Sequence, residues 1–244
     1  MSMTQEILIN ADLGEGCESD EALMPYIDLA SIACGGHAGS HQSMHDTVGL
    51  CLRNHVKAGA HPAYEDRKNF GRTSHLESFG ENTIIASCVQ QIKQLADTCA
   101  ELNTRLHYVK AHGALYHDLA KHSSLADKFA NAIRDLALNL FIIGPPNSQL
   151  KLSADKTGIT YLTESFADRR YGDNGNTLPR NLQSLSPLLE DPLEVQAQVA
   201  LLQRGSVKTV SGLRIPLKSQ TICIHGDTDN AVELAKAARA VITR

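Results

Sequence analysis

The sequence lacks tryptophan altogether and has no long hydrophobic run. Phe and Tyr make up only 5% of its 244 residues, and no apolar stretch approaches the roughly 18 residues that a membrane-spanning helix needs. No two cysteines have CxxC spacing, and neither a GxxxxGKS or GxxxxGKT phosphate-binding loop nor a GxGxxG after the first strand is present. These absences give no support to a membrane span, a P-loop nucleotide site or a nicotinamide site.

Basic charge and targeting signals are also missing. Lys and Arg number 23 against 27 Asp and Glu, which gives a net charge of −4, so we expect no nucleic-acid partner. The first ten residues have neither a cationic lead nor a long apolar segment, and we therefore expect no secretory signal, reduced cysteines and a cytoplasmic protein. The composition is that of a globular chain, with 42% hydrophobic residues, and predicts a single domain over residues 1–244.

Seven short apolar runs recur along the chain and predict strands. They lack polar alternation, which favours a parallel sheet that is buried on both faces. The predicted strands are Ile7–Ala11, Ser31–Cys34, Val56–Ala60, Leu106–Lys110, Phe141–Gly144, Thr160–Glu164 and Thr221–Ile224.

Helical patterns lie between the strands, so the fold class is α/β. The clearest predicted helices are Asn82–Leu102, Ser124–Ala137, a helix that begins at Asp191–Pro192, and Asn230–Ile242. The segment Tyr171–Leu189 is predicted to be one long loop. Both an open doubly wound sheet and a closed barrel fit this order. We favour a TIM-like (β/α) barrel of about seven parallel strands, because polar residues follow six of the seven runs and only a barrel gathers residues from so many strand ends.

The polar residues at the strand ends are carboxylates, imidazoles, one amide and one lysine. They are Asn10, Asp12 and Glu15 after the first run, His37, His61, Lys110 and His112 after the next three, and Glu164, Asp168, His225 and Asp227 after the last two. Imidazoles and carboxylates transfer protons near neutral pH, and an ammonium group stabilises negative charge. A divalent metal also suits such residues, with Asp12, His37 and His61 as candidate ligands, although the spacing matches no local metal motif. Arg67, Arg72, Arg169 and Arg180 lie in the loops nearby, where they either form ion pairs or bind a small anionic substrate.

Several stretches resemble the LamB/YcsF family, whose characterised function is that of the A subunit of 5-oxoprolinase. They are NADLGEG (10–16), IACGGHAG (32–39), GAHPAYEDRKNFGR (59–72), VKAHGALY (109–116), ESFADRRY (164–171), LPR (178–180) and ICIHGD (222–227). The resemblance implies a barrel of the glycoside hydrolase/deacetylase type. It also implies ATP-dependent opening of the lactam 5-oxoproline to L-glutamate, with ATP as co-substrate and with partner subunits B and C.

The family pattern, read with the chemistry above, assigns candidate roles. The catalytic candidates are Asp12, His61, Lys110, His112 and His225; the substrate-binding candidates are Glu15, His37, Arg67, Arg72, Glu164, Asp168, Arg169, Arg180 and Asp227. The sequence departs from the family pattern at Gly36, Ser40 and Arg170, which leaves the identity of the substrate open. Two other functions remain open: an ATP-independent, metal-dependent amide hydrolase or deacetylase, and a subunit that binds a ligand without catalysis.

Overall fold

Seven parallel strands form a closed barrel in the computed structural model, which describes residues 7–180, 182 and 184–242. The barrel strands are β1 (Leu8–Leu13), β2 (Leu29–Ala33), β3 (Lys57–His61), β4 (Tyr108–Lys110), β5 (Phe141–Gly144), β6 (Tyr161–Phe166) and β9 (Thr221–His225). They are hydrogen-bonded in this order, and β9 closes the barrel by pairing with both β6 and β1. The predicted (β/α) barrel of seven parallel strands is confirmed.

Most predicted strands end too early, and the error has one cause. The polar residues that the sequence suggests as the ends of strands continue the ladder instead: Asp12 pairs with Ser31 and with His225, and His61 pairs with Ala33. Their side chains lie at the mouth of the barrel, where neighbouring polar groups satisfy them, so a polar residue does not interrupt the strand. Only β5 has the predicted bounds.

Helices surround the barrel and bury its outer surface. They are α1 (Asp20–Leu23), a 3₁₀ turn (Met24–Tyr26), α2 (His41–Asn54), α3 (Leu76–Phe79), α4 (Glu81–Glu101), α5 (Gly113–Lys121), α6 (Ser123–Asp135), α7 (Gln149–Thr157), α8 (Pro192–Gln203) and α9 (Ala231–Val241). The predicted start of α8 is confirmed, because Asp191 accepts a hydrogen bond from the backbone N–H of Leu193 at 2.9 Å. Ser124, by contrast, lies inside α6 and donates its hydroxyl proton to Glu81.

The connection from β6 to β9 is longer than the others. No helix or strand lies in the described part of the predicted loop Tyr171–Leu189, of which residues 181 and 183 lie outside the described residues. After α8 the chain forms an antiparallel hairpin of β7 (Ser206–Lys208) and β8 (Arg214–Pro216), which the sequence patterns do not predict. Each of these strands has only three residues, too few for a period-2 pattern to be recognised.

The barrel interior is apolar at one end and polar at the other. Leu29, Tyr108 and Ile143 form a small buried cluster that is separate from the main core. Tyr108 requires its neighbour in the sheet to be glycine, because a Cβ on Gly59 would lie 2.2 Å from the Tyr108 ring. The hydroxyl of Tyr108 contacts that of Ser31 at 3.1 Å, and the charged residues lie beyond this level, toward the carboxyl ends of the strands.

Two further expectations concern cysteines and membrane segments. All six cysteines are free, as expected; five are buried and Cys17 is partly exposed. Among the described residues, no helix combines the length and the apolar character that crossing a bilayer would require.

Candidate active site

Lys110 lies at the centre of the polar end of the barrel, and its ammonium group is buried among acceptors from three other strands. The nitrogen lies 2.6 Å from Oδ1 of Asp12, and it donates to Oδ1 of Asn10 at 2.8 Å and to Oε1 of Glu164 at 3.0 Å. The Cys223 sulfur lies 3.3 Å away. With four neighbours for three N–H bonds, the ammonium group has no donor to spare, so a substrate anion would bind it only by displacing one of them.

Burial and ion pairing shift the pKa values of Asp12 and Lys110 in opposite directions. Burial alone would raise the pKa of Asp12, but His61 and Lys110 outweigh it and hold the pKa well below its ordinary value. Burial would likewise lower the pKa of Lys110, but Asp12, Cys223 and Glu164 raise it well above the ordinary value. Both groups are therefore charged at neutral pH, and Asp12 is a weak proton acceptor.

Three imidazoles, those of His37, His61 and His112, form a second group beside Asp12. Nε2 of His61 lies 3.0 Å from Nδ1 of His112 and 3.4 Å from Oδ2 of Asp12. Nε2 of His37 donates to Oε1 of Glu15 at 2.8 Å, and the ring of His37 stacks on that of His112 at 3.6 Å. We call these three imidazoles and the Glu15 carboxylate the imidazole cluster.

The pKa values of His37, His112 and Glu15 are shifted toward neutral side chains. Burial and the neighbouring His61 lower the pKa of His37 to about 3. Burial, His61 and His37 lower the pKa of His112 well below its ordinary value, while burial and Asp12 raise the pKa of Glu15. Such shifts are typical of functional sites.

Asp168 and His225 form a hydrogen-bonded pair where β6 and β9 end. The fully buried carboxylate of Asp168 accepts the backbone N–H of His225 at 2.8 Å and its Nδ1–H at 3.0 Å. Burial alone would raise the pKa of Asp168, but His225 and its hydrogen bonds lower it, so the carboxylate is ionised. The carboxylate thus fixes the proton on Nδ1 and leaves Nε2 of His225 as the nitrogen for proton transfer.

Two arginines meet one carboxylate at the rim. Arg180, from the long loop, donates to Oδ2 of Asp227 at 2.7 Å, and Arg72, from the segment after β3, donates to the same oxygen at 3.0 Å. Asp227 follows His225 by two residues. Burial alone would raise the pKa of Asp227, but the hydrogen bond and charge of Arg180 lower it, so the carboxylate is ionised there too.

The remaining candidates lie apart from the open mouth. Glu164 is fully buried beneath Lys110, where it also accepts a hydrogen bond from Asn10 at 2.9 Å. Arg67 is exposed and donates to the carbonyl oxygen of Gly39, whereas Arg169 is buried and donates to that of Leu178. A substrate would reach these three only after a rearrangement of their present contacts.

The departures from the family pattern have local explanations. Ser40 caps helix α2 by accepting the backbone N–H of Ser43 at 3.1 Å, and Arg170 pairs with Glu194 at 3.1 Å. The charge of Arg170 is therefore paired with that of Glu194.

Two contributors to the site escape the sequence patterns. The apolar run around Cys223 predicts a core thiol. Strand alternation, however, places Cys223 on the same face as His225 and thus inside the barrel. Phe70 contributes its backbone carbonyl, which accepts the Nε2–H of His112 at 3.0 Å. No side-chain pattern reveals a carbonyl partner, so the sequence cannot predict this contact.

Comparisons with known proteins agree with this architecture. The model of the LamB/YcsF family matches residues 7–244. The structure is similar to the lactam utilization protein of Thermus thermophilus, with a TM-score of 0.87 and 28% identity over 97% of this chain and 95% of that one. It also resembles a candidate cellobiose-phosphate cleavage protein of Enterococcus faecalis, with a TM-score of 0.53 and 10% identity over 98% of this chain and 91% of that one, a likeness of fold alone.

Proposed function

The chain belongs to the LamB/YcsF family, and we propose that it is the A subunit of an ATP-dependent 5-oxoprolinase. In this proposal it hydrolyses the lactam 5-oxoproline to L-glutamate together with partner subunits B and C, in the cytoplasm where ATP is available. The likeness to the lactam utilization protein of Thermus thermophilus supports a cyclic amide as the substrate.

The observation that carries the proposal is the closeness of a proton-transfer pair to an arginine pair. His225, held by Asp168, is two residues from Asp227, on which Arg72 and Arg180 converge. In 5-oxoproline the carboxylate is attached to the carbon next to the ring nitrogen. A site for this substrate therefore needs a cation for the carboxylate within a few ångströms of an acid for the departing nitrogen, and this rim supplies both.

We assign the substrate carboxylate to Arg72 and Arg180. Asp227 would then occupy, in the free protein, the place of the substrate carboxylate, and the arginines would exchange one carboxylate for the other on binding. Since each arginine is partly exposed, the exchange requires only side-chain movement. Arg67 and Arg169, which donate to backbone carbonyls, would not take part directly.

We assign the proton transfer to His225, with Asp168 as its positioning residue. ATP is the co-substrate: transfer of its γ-phosphoryl group to the lactam oxygen releases ADP and makes the ring carbon electrophilic. Water adds to that carbon and the C–N bond breaks, which leaves an acyl phosphate that a second water hydrolyses to the carboxylate and free phosphate. The ring nitrogen departs as an amine and needs a proton, which protonated His225 supplies from Nε2. The Lys110–Asp12 ion pair lies beside this region, since a carboxylate oxygen of Asp12 lies within 4.8 Å of a ring nitrogen of His225.

A second candidate function is an ATP-independent, metal-dependent amide hydrolase. The imidazole cluster favours it, because Glu15, His37, His61 and His112 bring their ligand atoms within 4.8 Å of one another. The two functions differ in their need for ATP, so one assay separates them.

The test is glutamate release from 5-oxoproline by this chain mixed with subunits B and C and ATP, with each component omitted in turn. We expect glutamate and ADP only from the complete mixture, and their loss with His225→Gln but not with Asp155→Asn, an exposed residue on α7. Glutamate formed without ATP would favour the second function. If the complete mixture is inactive while that of another family member works in parallel, the proposal is wrong.

A further inference from the structure

The hydrogen bonds of His61 and His112 leave two ring nitrogens facing each other. Nδ1–H of His61 donates to the carbonyl oxygen of Lys110 at 2.7 Å, and Nε2–H of His112 donates to that of Phe70 at 3.0 Å. Because a carbonyl only accepts, each neutral ring must carry its lone pair on the other nitrogen. These two nitrogens lie 3.0 Å apart, and two lone pairs at that distance repel each other unless a cation lies between them.

The Glu15 carboxylate completes a triangle with these nitrogens. Its Oε1 lies 3.5 Å from Nδ1 of His112 and 3.9 Å from Nε2 of His61. With the 3.0 Å separation of the nitrogens, the circle through the three atoms has a radius of about 2.0 Å, which is the length of a zinc bond to nitrogen or to a carboxylate oxygen. One ion can therefore reach all three atoms with almost no movement of the protein.

We propose that Glu15, His61 and His112 bind one divalent transition-metal ion of the zinc type and leave further coordination positions for water or substrate. Two histidines and one glutamate are a known ligand set of catalytic zinc, which keeps one position open. The second layer also fits: metal-bound histidines donate their other N–H to a carbonyl or carboxylate, and ligating carboxylates accept hydrogen bonds. Both histidines donate to carbonyls, and Glu15 accepts from His37.

This ligand set differs from the sequence candidates Asp12, His37 and His61 in two members. Asp12 is tied to Lys110 through Oδ1, although its Oδ2 lies 3.4 Å from Nε2 of His61, so it borders the ion without being needed. The ring of His37 is parallel to that of His112 within 2° at 3.6 Å. A ligated metal lies close to the plane of the imidazole, and one ion cannot lie in two parallel planes.

A second group of ligand-type residues, Asp12, Cys223 and His225, is less suitable. Its ligand atoms also lie within 4.8 Å of one another. However, Lys110 contacts both Asp12 and Cys223, and Nδ1 of His225 is bonded to Asp168. An ammonium group in contact with two of the three ligands disfavours a second cation there.

The test counts bound metal and does not depend on the lactam reaction. The full chain is stripped with a chelator, and Zn²⁺ binding is measured by calorimetry for the wild type, Glu15→Gln, His112→Ala and the control His45→Ala, whose exposed ring lies on α2. We expect one zinc ion per chain for the wild type and for His45→Ala. We expect binding weakened by more than about 100-fold for the other two, since even an outer-layer partner is worth about 10–100-fold.

Cobalt(II) gives a second, spectroscopic measurement of the same site. Bound at this site, it should show the intense visible absorption of a four-coordinate ion, and Glu15→Gln should abolish that absorption. Circular dichroism identifies any variant that fails to fold, and Glu15→Gln, which keeps the size of the side chain, serves if His112→Ala does not fold. The proposal is overturned if the wild type binds no zinc or if Glu15→Gln binds zinc equally well. A proton shared between the two rings would then account for the 3.0 Å separation of their nitrogens.

Discussion

The ammonium nitrogen of Lys110 lies 2.6 Å from Oδ1 of Asp12, and this ion pair is almost completely removed from solvent. Glu164 adds a second buried carboxylate at 3.0 Å. One cation thus contacts two anions at the polar end of the barrel. Removing charges from water costs several kilocalories per mole for each ion, so such a group is stable only while every member is present.

Replacement of Lys110 by Met should therefore destabilise the protein strongly. The change leaves Asp12 and Glu164 without a counter-ion, and the free energy of unfolding should fall by about 3–5 kcal/mol. Urea unfolding measures the loss. The matched control is Lys151→Met, which removes an exposed ion pair with Asp155 and should cost less than about 0.5 kcal/mol.

A double variant keeps this prediction testable if Lys110→Met does not fold. Adding Glu164→Gln to Lys110→Met removes one uncompensated charge and should restore part of the stability. Equal stabilities of Lys110→Met and Lys151→Met would show that the buried pair has no special importance.

The sequence predicts the barrel well because its strands are nearly continuous apolar runs, but it predicts the strand ends and the site contacts less well. The apolar pattern places Asp12 and His61 beyond the ends of strands that they in fact continue. The sequence predicts that Lys110 binds a substrate anion, whereas in the structure its charge is paired with Asp12 and Glu164. Which carboxylate meets which cation depends on the register of seven strands that are distant in sequence, and no local pattern encodes that register.

Asp168→Asn should lower kcat while leaving KM nearly unchanged. A neutral amide cannot stabilise the imidazolium form of His225 as the Asp168 carboxylate does, so the site would less often hold the proton that the departing nitrogen needs. We expect kcat to fall by about 10²–10⁴-fold, measured as glutamate release with the complete set of subunits. Asp155→Asn is the control, and a pH–rate profile that keeps its shape in Asp168→Asn would speak against a role through His225.

Arg180→Met should raise KM for 5-oxoproline. The loss of one charged hydrogen bond to the substrate carboxylate costs about 1.5–3 kcal/mol, which corresponds to about a 10–100-fold higher KM. The same variant should not change the weak binding of 2-pyrrolidinone, a lactam of the same ring size without the carboxylate. If both lactams lose affinity equally, Arg180 supports the loop rather than the carboxylate.

Asp20→Asn should stabilise the protein above neutral pH. Burial raises the pKa of Asp20 to about 6, and the nearby charge of Glu15 adds to the shift despite the hydrogen bond from the Gly14 N–H. The native state therefore holds this proton more tightly than the unfolded state, and stability decreases as the pH rises from about 4 to about 6. The neutral amide of the variant does not ionise, so its free energy of unfolding does not fall over this pH range.

The partial exposure of the Asp20 side chain limits how much the Asp20→Asn change raises the free energy of unfolding. The side chain is not fully buried, so solvent screening reduces the gain to about 1–2 kcal/mol at pH 8. Urea unfolding at pH 8 and at about pH 3 measures it, and the gain should nearly disappear at the lower pH, where the wild-type carboxyl is mostly protonated in both states. A gain that is equal at both pH values would have another origin, such as a better hydrogen bond to Gly14.

Gly36→Ala should destabilise the protein, whereas Gly49→Ala should not. A Cβ on Gly36 would lie 2.6 Å from Oε1 of Gln91 and 2.8 Å from the carbonyl oxygen of Ala63. These two groups are already joined, since the Gln91 amide donates to that carbonyl at 2.9 Å and accepts the Ala63 N–H at 3.0 Å. Overpacking of this kind costs about 1–3 kcal/mol.

The two glycines form a matched pair, because the same methyl group is added in different surroundings. At Gly49, inside α2, the nearest atom to the new Cβ is the end of the flexible Arg53 side chain at 3.4 Å, and alanine should raise helix stability by about 0.5–1 kcal/mol. Adding Gln91→Ala to Gly36→Ala should restore only part of the loss, since the Ala63 carbonyl belongs to the backbone and cannot move away as a side chain can. Full recovery in that double variant would show that Gln91 alone occupies the space that a side chain at position 36 needs.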